Sequence, residues 1–139
     1  IDAWYLISSE ISTKQWRDIH SIGNIKIIAF FETKGRSYKE IELFLRILTY
    51  VQKELPLWSP HYEIYDIFMY LIEKSQNISY SKLLLTYLKI IQCLGQLPEK
   101  HWDDITQKIL KFLHNADYKD ILRLSNIPEE AQKNLEWLL

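Results

Sequence analysis

The sequence holds few of the residues that interrupt regular secondary structure or cross-link a chain. Three glycines and four prolines among 139 residues are too few for the many tight turns of an all-β domain. The single cysteine, Cys93, cannot form an internal disulfide, which fits a reducing compartment, so we expect a cytoplasmic protein. No stretch reaches the ~18 consecutive apolar residues that a membrane-spanning helix needs, so we expect no membrane partner.

The chain also lacks an excess of charge of either sign. Its formal net charge is −1, so the domain as a whole has no general attraction for nucleic acid or for an anionic membrane. The composition, 47% apolar and 25% charged, is that of a globular protein with a packed core. We predict that residues 1–139 form a single domain. Because the chain starts at an isoleucine and stops in an apolar run, we also expect it to be part of a longer polypeptide.

Helical patterns dominate from residue 37 onward. Ser37 followed by Glu40 matches a capping box, and apolar residues then recur every three or four positions until Pro56, where a helix must stop. Ser59 and Pro60 suit the cap and first position of a second helix. This second helix is apolar around most of its circumference.

A third, equally apolar helix starts at Asn77 or Ser79 and ends at Gly95, a residue typical of helix C-termini. The second and third helices are too apolar to lie on a surface, so we predict them to be the centre of a bundle. The remaining pattern predicts helices over residues 102–113, 117–124 and 128–138.

The first thirty residues are less regular. Residues 3–7 could form a strand, and residues 12–20 suit a short helix. Residues 25–31 (IKIIAFF) fit a buried strand or a buried helix, and Gly35 shortly afterwards favours the helix. The predicted fold class is therefore all-α, a single bundle of about six to eight helices with a short strand at the N-terminus.

No arrangement of side chains in the sequence predicts catalysis. The four histidines are His20, His61, His101 and His114. Their positions lack the short paired spacings of structural zinc sites. Two acid pairs, 103–104 and 129–130, fall in first turns of helices, where acids complement the helix dipole. Phosphate-binding and nucleophile motifs are absent. We therefore predict a non-enzymatic protein with no metal and no cofactor; an unfamiliar enzyme would need a polar pocket around His61 or His114.

Cys93 lies in the apolar third helix. We interpret it as a small core residue. A reactive thiol would need a base nearby, and the sequence does not place one beside it.

Basic residues offer two hypotheses. The candidate DNA-binding residues are Lys34, Arg36, Lys39 and Arg46, and Tyr38 lies between them in the sequence. These side chains could follow a phosphate backbone while a ring stacks on a base, or they could form a solvated helical face with Glu40 and Glu42 between them. Two further basic groups are Lys14 with Arg17, and Lys108 and Lys111 with Lys119 and Arg123. Exposed aromatic residues such as Trp58, which precedes Pro60, could instead contact a partner.

Four stretches carry a distinctive order of apolar residues and turns. They are residues 4–11 (WYLISSEI), 45–60 continuing into 64–68 (IYDIF), 84–98 ending in LGQLP, and 116–139. In this order they resemble the C-terminal helical domain of the RecO family of bacterial DNA repair proteins. The first stretch is similar to the segment that leaves the family's N-terminal OB barrel, so the resemblance implies a barrel before residue 1.

The resemblance implies a recombination mediator that breaks no bond. RecO-like proteins bind and anneal single-stranded DNA and work with RecR to load RecA onto DNA coated by single-strand binding protein. Many members carry a four-cysteine zinc module, whereas this chain has one cysteine, so zinc is not implied. The assignment of Lys34, Arg36, Lys39 and Arg46 to DNA rests on charge in this sequence. The alternative is a regulatory or scaffolding helical domain that binds proteins and has no nucleic-acid role.

Overall fold

The computed structural model of the chain describes residues 5–12, 21–55, 61–98, 101–124 and 127–139. Within these ranges two strands precede six α-helices: β1 (Tyr5–Ser12), β2 (Ser21–Phe30), α1 (Tyr38–Glu54), α2 (Tyr62–Glu73), a 3₁₀-helix (Ser75–Asn77), α3 (Tyr80–Cys93), α4 (Asp104–Asn115), α5 (Tyr118–Ile121) and α6 (Glu129–Glu136). The predicted small helical bundle with an N-terminal strand is confirmed. None of the helices in these ranges is both long and apolar enough to traverse a bilayer.

Short-range hydrogen bonds set the first residues of the helices. The Ser37 hydroxyl accepts from the Glu40 N–H at 3.3 Å, and the Ser79 hydroxyl accepts from the Lys82 N–H at 3.4 Å. Each bond satisfies one of the backbone donors that a helix start leaves unpaired. The predicted cap at Ser37 is confirmed, and of the two predicted starts of the third helix, Asn77 and Ser79, the structure selects Ser79. Helix α2 begins at Tyr62; the predicted cap at residue 59 and first position at residue 60 lie outside the described residues.

Gly95 ends α3 as the sequence predicts. Its φ of 68° is in the left-handed region that favours glycine. The Gly95 N–H donates to the Gln92 carbonyl at 2.9 Å, and the Gln96 N–H donates to the Ile91 carbonyl at 3.0 Å. This pair of bonds is a Schellman motif, which satisfies carbonyls that the helix end would otherwise leave unpaired.

Helix α3 is the centre of the bundle. Every residue from 83 to 91 is buried, and the helix contacts α1, α2, α4, α5 and α6. The same prediction for α2 is only half right. Ile64, Ile67 and Leu71 are buried, but Tyr62 is 77% and Tyr65 57% exposed, because none of the described elements covers this aromatic face of α2.

The prediction of a helix over residues 25–31 is wrong. Residues 21–30 form β2, which pairs antiparallel with β1. The β-branched isoleucines suit an extended strand, and pairing with β1 supplies the backbone partners. Asn24 has a φ of 49° at an irregularity in the pairing, and its Nδ2 donates to the Glu10 carboxylate at 2.7 Å. Of the strand predicted at residues 3–7, residues 5–7 belong to β1, which confirms that part of the prediction; residues 3 and 4 lie outside the described ranges.

One aromatic pair joins the hairpin to the bundle. Phe31 is fully buried and stacks on Phe44 of α1 with ring centroids 3.8 Å apart. The strand before it is largely exposed, and its exposed large apolar side chains are Ile22, Ile25, Ile27, Ile28 and Phe30. Most of the helix predicted over residues 12–20 falls outside the described residues, and Ser12 itself is the last residue of β1.

Candidate nucleic-acid interface

The four predicted DNA-binding residues do not form one cluster. Lys34 and Arg36 lie in the connection between β2 and α1, whereas Lys39 and Arg46 lie on the exposed surface of α1. Lys39 and Arg46 are two helical turns apart, about 10 Å along the axis. The Arg46 guanidinium donates to the Leu139 carbonyl at 3.2 Å. Whether these side chains contact DNA remains a prediction.

Arg36 has structural partners on three sides. Its side chain is only 7% exposed, and its Nε donates to the Glu32 carbonyl at 2.6 Å. Its Nη1 donates to the Ile78 carbonyl at 2.8 Å and to the Glu40 carboxylate at 3.3 Å. The guanidinium carbon lies 4.5 Å from the centre of the Phe31 ring, in cation–π range. Arg36 therefore ties the start of α1 to the segment before α3.

Arg36 also lines a cleft of about 450 Å³, which we call the polar cleft. Its lining residues are Glu32, Lys34, Gly35, Arg36, Glu40, Gln76 and Ile78. Two carboxylates oppose the two cations, so the cleft has little net positive potential. The exposed Lys34 is the cation of this cleft that best suits an outside anion.

A second concavity, which we call the basic pocket, lies on the other side of Ile78. Its volume is about 310 Å³, and its lining residues are Tyr70, Lys74, Asn77, Ile78, Lys82, Lys119, Leu122 and Arg123. Four of these eight side chains are cationic and none is a carboxylate. A concave site lined by charges of one sign concentrates the potential, even on a chain of nearly zero net charge.

Three helices and the residues at their ends bring these cations together. Lys74 caps the end of α2, and Lys82 lies in the first turn of α3. Lys119 belongs to the one-turn helix α5 and Arg123 follows it. The positive end of the α3 dipole, beside Lys82, adds to their potential.

The sequence identified only part of this set. It grouped Lys119 and Arg123 with Lys108 and Lys111, but the latter two lie on α4 and do not line the pocket. Lys74 and Lys82 were missed, because they are isolated cations in apolar helices. No local pattern in the sequence connects them with α5.

Tyr70 and Lys119 form the wall of the basic pocket. The Lys119 Nζ lies 5.0 Å from the centre of the Tyr70 ring, which favours the charged ammonium. A hydrogen bond with Tyr70 raises the pKa of Lys119 above its ordinary value, and the neighbouring Asp117 carboxylate raises it further. Lys119 is therefore protonated at neutral pH.

Acidic groups limit the basic surface on one side. Asp120 lies 3.7 Å from the Arg123 guanidinium, but both side chains are exposed, and such pairs contribute little. Beyond Tyr70 and Lys119 lies a cleft of about 290 Å³ whose lining includes Glu63, Asp66 and Asp117. A phosphate backbone in the basic pocket would be repelled from that side.

Cys93 is half-buried and packs against the core, which confirms the predicted core role. Burial raises the pKa of its thiol to about 11, and the carboxylate of Glu63 also raises it. The thiol is therefore protonated at neutral pH, a poor state for a nucleophile.

The three histidines that the structure describes lie at different points of the secondary structure. His61 is the half-buried N-cap of α2, and His101 and His114 are exposed; residue 20 lies outside the described ranges. Within those ranges no three histidine, cysteine or acidic side chains come together as a metal-binding group.

Comparison of the chain with protein-family models, with curated proteins and with solved structures finds no match in any of the three. The resemblance to RecO proteins therefore continues to rest on the quoted residues alone.

Proposed function

We propose that this chain is a non-enzymatic domain that binds single-stranded nucleic acid through the basic pocket. The proposal follows the resemblance to RecO proteins. In such a protein the domain would support the binding and annealing of single-stranded DNA and, with RecR, the loading of RecA. The observation that supports it is the convergence of four cations on one concavity whose described lining residues include no carboxylate.

The charge of the pocket suits phosphates. Lysine and arginine side chains that contact phosphates release condensed counterions, and this release dominates the affinity of proteins for nucleic acids. Lys74, Lys119 and Arg123 are exposed, so they can reach a phosphate without disturbing the core. Arg36 is less suited to this role because its donors are engaged within the protein.

The shape of the pocket favours a single strand over a duplex. The cations come from the end of α2, the start of α3 and the region of α5, around a concavity rather than from one straight helical face. A flexible strand can follow such a contour and turn its bases toward the protein, whereas a duplex presents a rigid, regular backbone.

The test is the salt dependence of binding to a fluorescent single-stranded oligonucleotide. One variant carries Lys74→Gln, Lys119→Gln and Arg123→Gln. Its matched control, with the same loss of charge from exposed positions elsewhere, carries Gln at Lys108, Lys111 and Lys133. If all three pocket cations contact phosphates, the slope of log affinity against log salt falls by about 2 in the pocket variant and stays near the wild-type value in the control.

Equal affinities and slopes for the two variants would show that any binding is non-specific or lies elsewhere. That result would refute the assignment of the basic pocket. Far-ultraviolet circular dichroism of both variants checks that the helices remain intact.

The hairpin supports a second candidate function, the binding of another protein. Five large apolar side chains of residues 21–30 are between 48% and 60% exposed, and large exposed apolar patches commonly mark interfaces. A two-stranded sheet is also marginally stable by itself. If the protein binds no oligonucleotide although its circular dichroism spectrum shows intact helices, that result would favour this candidate over the first.

A further inference from the structure

We infer that the basic pocket holds the base of one nucleotide of a bound single strand, while the cations at its rim hold the flanking phosphates. This inference rests on the proposed function and makes it more specific. The charge of the pocket predicts contact with phosphates only, whereas this inference also places a stacked or inserted base in the pocket.

The floor of the pocket is apolar. Ile78 is buried and Leu122 half-buried, and both line the pocket beside the Tyr70 ring. The aliphatic stems of lysine and arginine side chains can cover apolar surface while their charged ends stay in water. The pocket thus presents an apolar interior below a charged rim, which matches a flat base attached to a phosphate chain.

Asn77 adds a polar group to this interior. It belongs to the 3₁₀-helix, is exposed and lines the pocket. A side-chain amide both donates and accepts hydrogen bonds, which suits the edge of a base. The volume of about 310 Å³ lies at the small end of ligand pockets, as expected for a single base.

The surroundings also set the direction of the strand. The acidic cleft beyond Lys119, which includes Glu63 and Asp66, repels phosphates. Ile78 lines both the basic pocket and the polar cleft, so it joins the pocket to a cleft in which Lys34 is exposed. The strand therefore leaves the pocket toward Lys34, so that this member of the predicted set contacts a neighbouring phosphate.

The test compares an oligodeoxyadenosine with an abasic oligonucleotide of the same length and charge. We expect the base-bearing strand to bind about 5- to 150-fold more tightly, the range measured for removal of one stacking contact. In methyl NMR spectra, we expect it to shift the resonances of Ile78 and Leu122 through the ring current of the base. The abasic strand leaves those resonances in place.

Two variants that each remove a side-chain amide localise the base. Asn77→Ala should weaken binding of the base-bearing strand about two- to tenfold, the effect of one hydrogen bond, and leave the abasic strand unaffected. The matched control Gln107→Ala removes an exposed amide from α4 that lines neither the basic pocket nor the polar cleft, and should alter neither affinity.

Equal binding of the two strands, without methyl shifts, would overturn the base pocket and leave the proposed function standing. If neither strand binds, the proposed function and this inference both fail. An acidic peptide with an aromatic residue that shifts Ile78 and Leu122 when the oligonucleotide does not would assign the pocket to a protein partner, which also overturns the inference.

Discussion

Replacement of Lys89 by methionine should strongly destabilise the protein. Lys89 lies in the middle of α3 and is only 5% exposed. Its Nζ donates to the Leu113 carbonyl at 2.8 Å and to the His114 carbonyl at 3.4 Å. These two carbonyls belong to the last turn of α4, where no intrahelical donor reaches them. Lys89 is thus a C-terminal cap supplied by another helix.

The magnitude follows from these contacts. A buried acceptor that loses its donor costs about 1–3 kcal/mol, and Lys89→Met removes the donor of two carbonyls. Methionine fills a similar volume and removes the cost of burying an ammonium, which offsets part of the loss. Glu63, whose carboxylate lies 3.5 Å from the Nζ, is 56% exposed and keeps its hydration. We expect the free energy of unfolding to fall by about 2–4 kcal/mol.

Urea unfolding followed by circular dichroism measures the effect. With a slope of about 2 kcal/mol per molar urea, the midpoint should fall by about 1–2 M. Lys108→Met removes an exposed lysine from α4 and is the matched control; it should change stability by no more than about 0.5 kcal/mol. A Lys89→Met midpoint equal to that of the control would show that the buried ammonium does not stabilise α4.

Two further predictions concern Cys93 and Arg36, whose surroundings only the structure shows. Cys93 should react slowly with iodoacetamide near neutral pH and faster as pH approaches about 11, the raised pKa of its thiol in the folded protein. Because the pKa is raised on folding, the protonated thiol stabilises the folded state fully below the ordinary thiol pKa of ~8.5. This stabilisation is lost as pH rises through about 11. An ordinary alkylation profile, centred near that of a free thiol, would contradict this. Arg36→Met should lower the free energy of unfolding by about 1–3 kcal/mol, since the Ile78 carbonyl loses its donor, whereas Lys34→Met at an exposed position should be nearly neutral in the same thermal or urea unfolding experiment. Equal stability of these two variants would show that Arg36 has no structural role.

The parts of the fold that the sequence predicted correctly depend on short-range interactions. Ser37, Ser79 and Gly95 each act within one helical turn, so their consequences can be inferred from neighbouring residues. The absence of an internal disulfide follows from a single cysteine. The helical bundle follows from apolar spacing alone.

The errors occurred where a distant partner decides the outcome. Residues 25–31 fit two structures equally well in isolation, and pairing with β1 selects the strand. Helix α2 is as apolar in sequence as a central helix, yet Tyr62 and Tyr65 are exposed because no described element covers that side. Apolar composition shows that a surface can be buried, but only the packing shows which one is.

The candidate site shows the same limit. Arg36 belongs to a group of basic residues that the sequence suggests for DNA contact. The structure instead places its guanidinium against the carbonyl of Ile78, 42 positions away. No sequence pattern indicates a function for Lys74 or Lys82, yet they share one pocket with Lys119 and Arg123. Net charge could not have revealed this pocket, because cations and anions balance over the whole chain.

By itself, the sequence determined the helical class, both ends of α1, the end of α3 and the lack of a recognisable catalytic motif, since these depend on composition and on residues a few positions apart. The tertiary structure alone decided that residues 21–30 are a strand, that α3 rather than α2 is central, and that four cations at the ends of three helices form the basic pocket. The physical reason is that burial and electrostatic potential depend on distances through space, and only the packed fold brings residues far apart in the chain within those distances.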